Sequence, residues 1–213
     1  MGPGRTAFWY GVVAVVAALV ADLYFLVVDP AGVVDWVLTV IHQYRTSLAL
    51  ATFVFVTILA ARRVHPVRLD PDASWRALLV RDGAMCGVVI ATMVGIALLL
   101  SAALQATVLA EPMRNYAREA TPKIVSYSNS ELEEVKEGRV RRGDSPEKIA
   151  ALPDPAKPGE VRESLEPPAL RDLGRSIANF VLRAVLLGVI GGVTGALRRS
   201  KPDSEPTGEP QPG

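Results

Sequence analysis

Residues 83–110 read GAMCGVVIATMVGIALLLSAALQATVLA, a run of 28 positions without one charged side chain. A water-soluble helix of that length would gather its apolar residues into a stripe along one face. Roughly 20 consecutive apolar residues suffice to cross the ~30 Å hydrocarbon core of a bilayer, so the run predicts a membrane span with length left for tilt. Two further runs follow the same logic: 7–28 is interrupted only by Asp22, and 176–197 only by Arg183. A fourth, SLALATFVFVTILAA at 47–61, is too short by itself. Its helix is therefore expected to begin near Val37 and to carry His42, Gln43, Tyr44 and Arg45.

Composition agrees with this blocked pattern, since the chain is 50% hydrophobic and yet 21% charged. Apolar spans joined by polar loops have that balance. The net charge of +1 gives no basic face for a nucleic acid. The one cysteine, Cys86, lies inside the third run, which excludes a disulfide framework and reads as a small buried hydrophobe. A cleaved signal peptide is the other reading of 7–28. The run is longer than a signal core of about 7–15 residues, and no Ala-x-Ala precedes a polar start, so a span is expected.

Orientation follows from the arginines. The 62–82 loop carries Arg62, Arg63, Arg68, Arg76 and Arg81, the end of the chain Arg198, Arg199 and Lys201, and the start Arg5. The 29–36 loop has no basic residue. The positive-inside rule then puts both termini and the 62–82 loop in the cytoplasm, and the long 111–175 loop outside. Trp9, Tyr10 and Trp75 fit the inner interface, and Tyr24, Trp36, Tyr44 and Tyr116 the outer one.

The external loop holds eight of the sixteen prolines and nearly balanced charge. SNSELEEVKEGRVRRG (128–143) reads as a short helix capped by Ser130, with Glu133 at the capping-box spacing. DSPEKIAALP (144–153) reads as another, with Asp144 or Ser145 as cap and Pro146 in the first turn. PDPAKPGEVRESLEPPA (153–169) reads as an extended linker. Apolar residues are too scattered here to predict an independent core. Two small helices over the membrane surface are expected instead.

The segment LLGVIGGVTGALRR (186–199) places glycine at 188, 191, 192 and 195. Each costs about 1 kcal/mol against alanine in a soluble helix, so a close contact must offset them. Gly188 with Gly192 and Gly191 with Gly195 form small-xxx-small strips that let backbones touch, and Gly83 with Gly87 form a related strip in the third span. The strips are read as packing together within one chain, or as the seat of a second copy or partner subunit, or as a hinge.

Ionisable residues inside spans are costly and either pair or face inward. Asp22 and Arg183 each lie fourteen residues from an inner edge at Phe8 or Leu197, about 21 Å up a helix, which predicts an intramembrane charge pair at matching depth. His42, Arg45 and Gln105 join them in one outer polar layer. The layer is read as a register-fixing pair, as a docking site for a partner or lipid headgroup, or as a solute or proton site. The inner two-thirds of all four runs carry no ionisable residue to continue a pathway, which weighs against transport.

Catalytic patterns are missing. His42 and His65 fall on opposite sides of the membrane in this topology, and no phosphate loop, His-Glu-x-x-His or Gly-x-Ser-x-Gly occurs. HPVRLDPD (65–72) reads as a solvated proline turn.

Three spans, a charged outer segment with GDSPEKIAAL, and a last helix ending in GGVTGALRRSKP resemble a small four-helix bacterial inner-membrane family known only as a domain of unknown function. The chain departs from that layout in its longer proline-rich stretch at 153–169. The resemblance implies a multi-pass inner-membrane protein and carries over no catalytic residue.

These readings predict an all-α, four-helix transmembrane bundle with both termini cytoplasmic. Three spans occupy 1–110, the external loop 111–175, the fourth span 176–197 and a disordered tail 198–213. A non-enzymatic accessory or assembly subunit is expected, with a small oligomeric transporter or channel as the alternative. No metal, cofactor or nucleic acid is expected; membrane lipids are, together with a protein partner or second copy on the glycine face.

Overall fold

The computed structural model describes residues 2–65, 74–169 and 173–198 and, in the last segment, side chains from Ile177 onward. The described residues form helices and no strand: α1 (Pro3–Asp22), a 3₁₀ turn (Tyr24–Leu26), α2 (Asp35–Arg63), α3 (Trp75–Ala106), α4 (Ala110–Arg141), α5 (Pro146–Ala150), α6 (Pro158–Leu165) and α7 (Leu173–Ala196). The expected proline turn at 65–72 falls almost wholly outside the described residues, as does the tail after Arg198.

Four helices, α1, α2, α3 and Ile177–Ala196 of α7, are long and apolar enough to cross a membrane. No more than 33% of any of their apolar windows is buried within the protein. Val13, Val20, Phe55, Ile96, Leu182 and Val189 accordingly lie exposed. In water such a surface would drive aggregation, whereas in a bilayer it is the lipid-facing side.

The helix ends differ from those read off the apolar runs, for local reasons. The first helix stops at Asp22 because the chain tightens, with Leu26 N–H on Leu23 O at 3.0 Å and Val27 N–H on Tyr24 O at 3.0 Å. The third begins at Trp75, ahead of the apolar run, where the Ser74 hydroxyl accepts from Ala77 N–H at 3.3 Å. Asp82 thereby falls inside α3, its side chain 1% exposed and its Oδ1 2.7 Å from Arg81 Nε.

The chain divides into two compact units. One comprises 1–14, 53–93 and 180–213, the other 15–52 and 94–179. The first has a core of small and branched residues, among them Ala7, Ala14, Phe53, Ala60, Leu79, Ile90 and Leu187. Cys86 is buried there with its thiol 3.8 Å from Pro3 O.

Within this unit α3 and α7 meet backbone to backbone. A Cβ on Gly83 would fall on the carbonyl of Gly191, one on Gly87 on the carbonyl of Leu187, and one on Gly195 on that of Leu79. Gly191 is bounded in turn by the Gly83 carbonyl. Of the two strips in α7, the one through Gly191 and Gly195 makes this contact. Gly192 lies beside it, where a Cβ would meet Ala84 Cβ at an ordinary 3.5 Å. The strip through Gly191 and Gly195 therefore packs within the chain, the first of the readings given for it.

The second unit corrects the reading of 111–175 as a loop without a core. α4 runs for 32 residues, about 48 Å, straight through Pro122. The proline removes one backbone donor, and the Thr121 hydroxyl turns back onto Ala117 O at 2.6 Å. What carries the helix across is its buried face: Met113, Tyr116, Ala117, Ala120 and Ile124 recur at helical spacing. The segment 128–143 is thus the end of α4, and Ser130 lies inside it, donating to Tyr127 O at 2.9 Å instead of capping. α5 has Pro146 in its first turn as expected, with no side-chain cap from Ser145. The proposed linker contains α6, started by Pro158, whose Val161 and Leu165 are buried. They join Tyr24, Phe25, Leu38 and the α4 face in one hydrophobic cluster. Asn129 holds the intervening chain by a reciprocal pair: its Oδ1 accepts from Ala156 N–H at 2.8 Å, and its Nδ2 donates to Ala156 O at 3.3 Å.

Substitution of the glycines separates contact from composition. Gly83→Ala, Gly87→Ala, Gly191→Ala and Gly195→Ala should each lower stability by about 1–3 kcal/mol through overpacking against backbone. Gly192→Ala should be neutral or gain about 0.5 kcal/mol from helix propensity. Thermal unfolding in detergent, followed by loss of helical signal, measures the series. Equal losses at all five positions would contradict the contact.

Candidate functional site: a polar cluster around Tyr24

The polar groups of the second unit gather at the end of α1. Asp22, the last residue of that helix, directs its carboxylate at two positions one turn apart on α3. Its Oδ2 accepts from the Ser101 hydroxyl at 2.5 Å and from Gln105 Nε2 at 2.7 Å, and Gln105 Nε2 also reaches Ser101 Oγ at 3.2 Å. Ser101 and Gln105 are buried. The three groups satisfy one another, as polar atoms away from water must.

Two residues on, Tyr24 enters the hydrophobic cluster and meets Tyr116 of α4 edge to face, ring centroids 5.4 Å apart. Arg45 of α2 lies over the Tyr24 ring, 4.8 Å from its centroid, and its Nη2 donates to Ser164 O at 3.3 Å at the end of α6. Such a cation–π contact contributes about 0.5–2 kcal/mol. Burial pushes the Tyr116 phenol up from its ordinary value, and the neighbouring Tyr24 phenol adds to the rise. Burial raises Tyr24 as well, with Arg45 acting in the opposite sense. Both stay protonated. Lys123 of α4 ties the α1–α2 connection, donating to Pro30 O at 2.7 Å with Asp35 at 3.7 Å.

The structure thus brings together three of the residues read as a polar layer, Asp22, Arg45 and Gln105, but not as the reading had them. The Asp22 carboxylate is taken up by Ser101 and Gln105, while Arg183, half-buried on α7, belongs to the other unit. Because α1 ends at Asp22, the carboxylate stands at a helix terminus and turns onto α3. His42 lies one turn before Arg45 with its Nδ1 buried and without a hydrogen-bond partner.

Ser101, Tyr24 and Tyr116 were missed as members. Ser101 was legible, since it precedes Gln105 by four residues and so shares its helix face. Tyr24 and Tyr116 were read as interfacial anchors and are instead 8% and 5% exposed, inside the cluster. The arrangement holds helix ends together. No group of three or more His, Cys, Asp or Glu side chains able to hold a metal occurs among the described residues.

The chain matches no family model, no curated protein and no solved structure. Fold and site together define an all-helical protein with four helices of membrane-crossing length.

Asp22→Ala would leave Ser101 and Gln105 buried without their shared acceptor and should cost about 1–3 kcal/mol. Arg183→Gln should cost clearly less. Unfolding of both variants in the same detergent tests this, and a larger loss for Arg183→Gln would contradict it. Arg45→Ala should speed amide exchange across α6 while leaving α1 unchanged.

Proposed function

We propose that this chain is a non-enzymatic accessory or assembly subunit of a bacterial inner membrane. Both termini lie in the cytoplasm in this reading, and the α4–α6 region lies outside, surrounded by lipid only along the four apolar helices. The observation that carries it is the use made of the partly buried polar groups. Asp22 ties α1 to α3 and Arg45 ties α2 to the end of α6, so each acts within the chain, and Arg45 helps to hold α6 in place. A rigid extramembrane platform suits a protein that presents a surface to others. The excess of arginine at the chain start, in 62–82 and after 197 supports the orientation.

The second reading is a small oligomeric transporter or channel. The buried hydroxyls of Thr6 and Thr57, which have no hydrogen-bond partner, favour it. Thr92 does not extend that path, because its hydroxyl returns to Val88 O at 2.8 Å.

Extraction from native membranes in mild detergent, followed by native mass determination, tests the proposal. A complex containing a reproducible second protein is the expected outcome. A lone monomer or homo-oligomer would overturn it. Solute flux into vesicles, compared between the wild type and Thr57→Val, then tests the transporter.

A further inference from the structure

Two adjoining hollows of about 540 and 440 Å³ run between the C-terminal half of α4 and the segment that carries α5 towards α6. They share Leu132, Leu152, Pro153 and Asp154 and so form one groove. Each lies within the size range of binding pockets, about 300–1,000 Å³.

The groove is apolar and unfilled. Leu132, Ile149 and Leu152 converge on it, yet all three are only partly buried, and Val135 beside them is 43% exposed. α5 forms one wall without burying any residue of its own. The wall is held by polar ties at its ends, Arg139 Nη1 on Lys148 O at 2.6 Å and the Asn129–Ala156 pair. Those ties keep the groove open where collapse would otherwise bury its side chains.

Its rim is acidic. Glu131, Glu133 and Asp154 border it with Lys136, whose Nζ lies 3.6 Å from Glu133 Oε1, so that Glu131 and Asp154 carry the excess negative charge. At its other end stand Thr39, His42 and Gln43, in the first turns of the membrane-length helix α2. The unpartnered His42 Nδ1 belongs to that wall.

We propose that this groove binds an apolar segment flanked by lysine or arginine, supplied by the juxtamembrane region of a partner membrane protein. Charge decides the occupant. A phospholipid would bring its phosphate against Glu131 and Asp154, whereas a basic flank on a peptide meets them favourably. The chain's own end, KPDSEPTGEPQPG, has three carboxylates and no large apolar residue, so it is no match. The position at the start of α2 places the occupant beside a membrane. This proposal rests on the accessory-subunit reading and names the chemistry of the surface that reading requires.

The test uses the full chain in phosphatidylcholine nanodiscs and a dye-labelled synthetic amphipathic helix of leucine and lysine, with empty nanodiscs as the blank. Fluorescence anisotropy gives Kd. The double variant Glu131→Lys, Glu133→Lys and the single variant Val135→Gln should each weaken binding by about tenfold or more. Glu163→Lys, on α6 away from the groove, should leave Kd within about twofold. A leucine–glutamate helix should not bind. Each variant is checked for unchanged helical signal, and Val135→Gln alters an exposed side chain, so the fold is kept. Binding that ignores the groove variants, or falls equally with Glu163→Lys, overturns the proposal. So does a phospholipid that the wild type retains in native mass spectra and Val135→Gln loses. A second protein that co-purifies with the wild type and with both groove variants would leave the accessory role standing and remove the groove from it.

Discussion

A peptide group in hydrocarbon has no water to bond, and each one left unsatisfied costs several kcal/mol. The long apolar stretches of this chain meet that constraint by closing their backbone bonds inside α1, α2, α3 and α7. Other features follow from it. Where the helices end, backbone groups need partners again, and the chain supplies them with tight turns: the 3₁₀ turn after Asp22, the Ser74 hydroxyl before α3 and the Thr107 hydroxyl on Ala103 O after it. Where two helices pack, side-chain burial from water contributes little, and close backbone approach takes its place. The contact of Gly83 and Gly87 with Gly191, Gly195 and Leu187 is of that kind.

The α4–α6 region is held together differently. Its stability comes from an apolar face buried against Val161, Leu165, Tyr24 and Phe25. It also draws on polar groups, through Arg45, Lys123 and Asn129, each of which bonds a backbone carbonyl of another segment. Surface pairs such as Arg162 with Glu166 add little to this, because both partners remain hydrated. The Tyr24 cluster matters because it belongs to both regimes. Asp22 closes α1 onto the apolar α3, and two residues later Tyr24 enters the hydrophobic cluster beside Tyr116.

Much of this was written in the sequence, although not all of it was read correctly. The apolar face of α4 is present at 113, 116, 117, 120 and 124, a helical period that runs across Pro122. Reading the apolar residues of 111–175 as scattered hid it; the helix crosses Pro122 because a proline removes one bond while a buried face of five residues supplies much more. The count of prolines hid α6, where Pro158 starts the helix. That Asp22 takes Ser101 and Gln105 as partners was hidden for a different reason. Equal depth constrains one coordinate, whereas a hydrogen bond needs direction as well, and direction was set by where α1 stops.

Sequence alone determined the four apolar helices, the clustering of arginine, the absence of recognisable catalytic patterns and the small residues needed for close packing. These are properties of composition and period along one segment, and they hold whatever the neighbours are. Tertiary structure decided which glycine strip touches, that Asp22 bonds Ser101 and Gln105, that Arg45 lies on Tyr24, and that Leu132, Val135 and Leu152 line a groove with an acidic rim. Each of these depends on two or more segments far apart in the chain arriving at one place in a given orientation. No local period encodes that arrival, because it results from packing every face of the molecule at once.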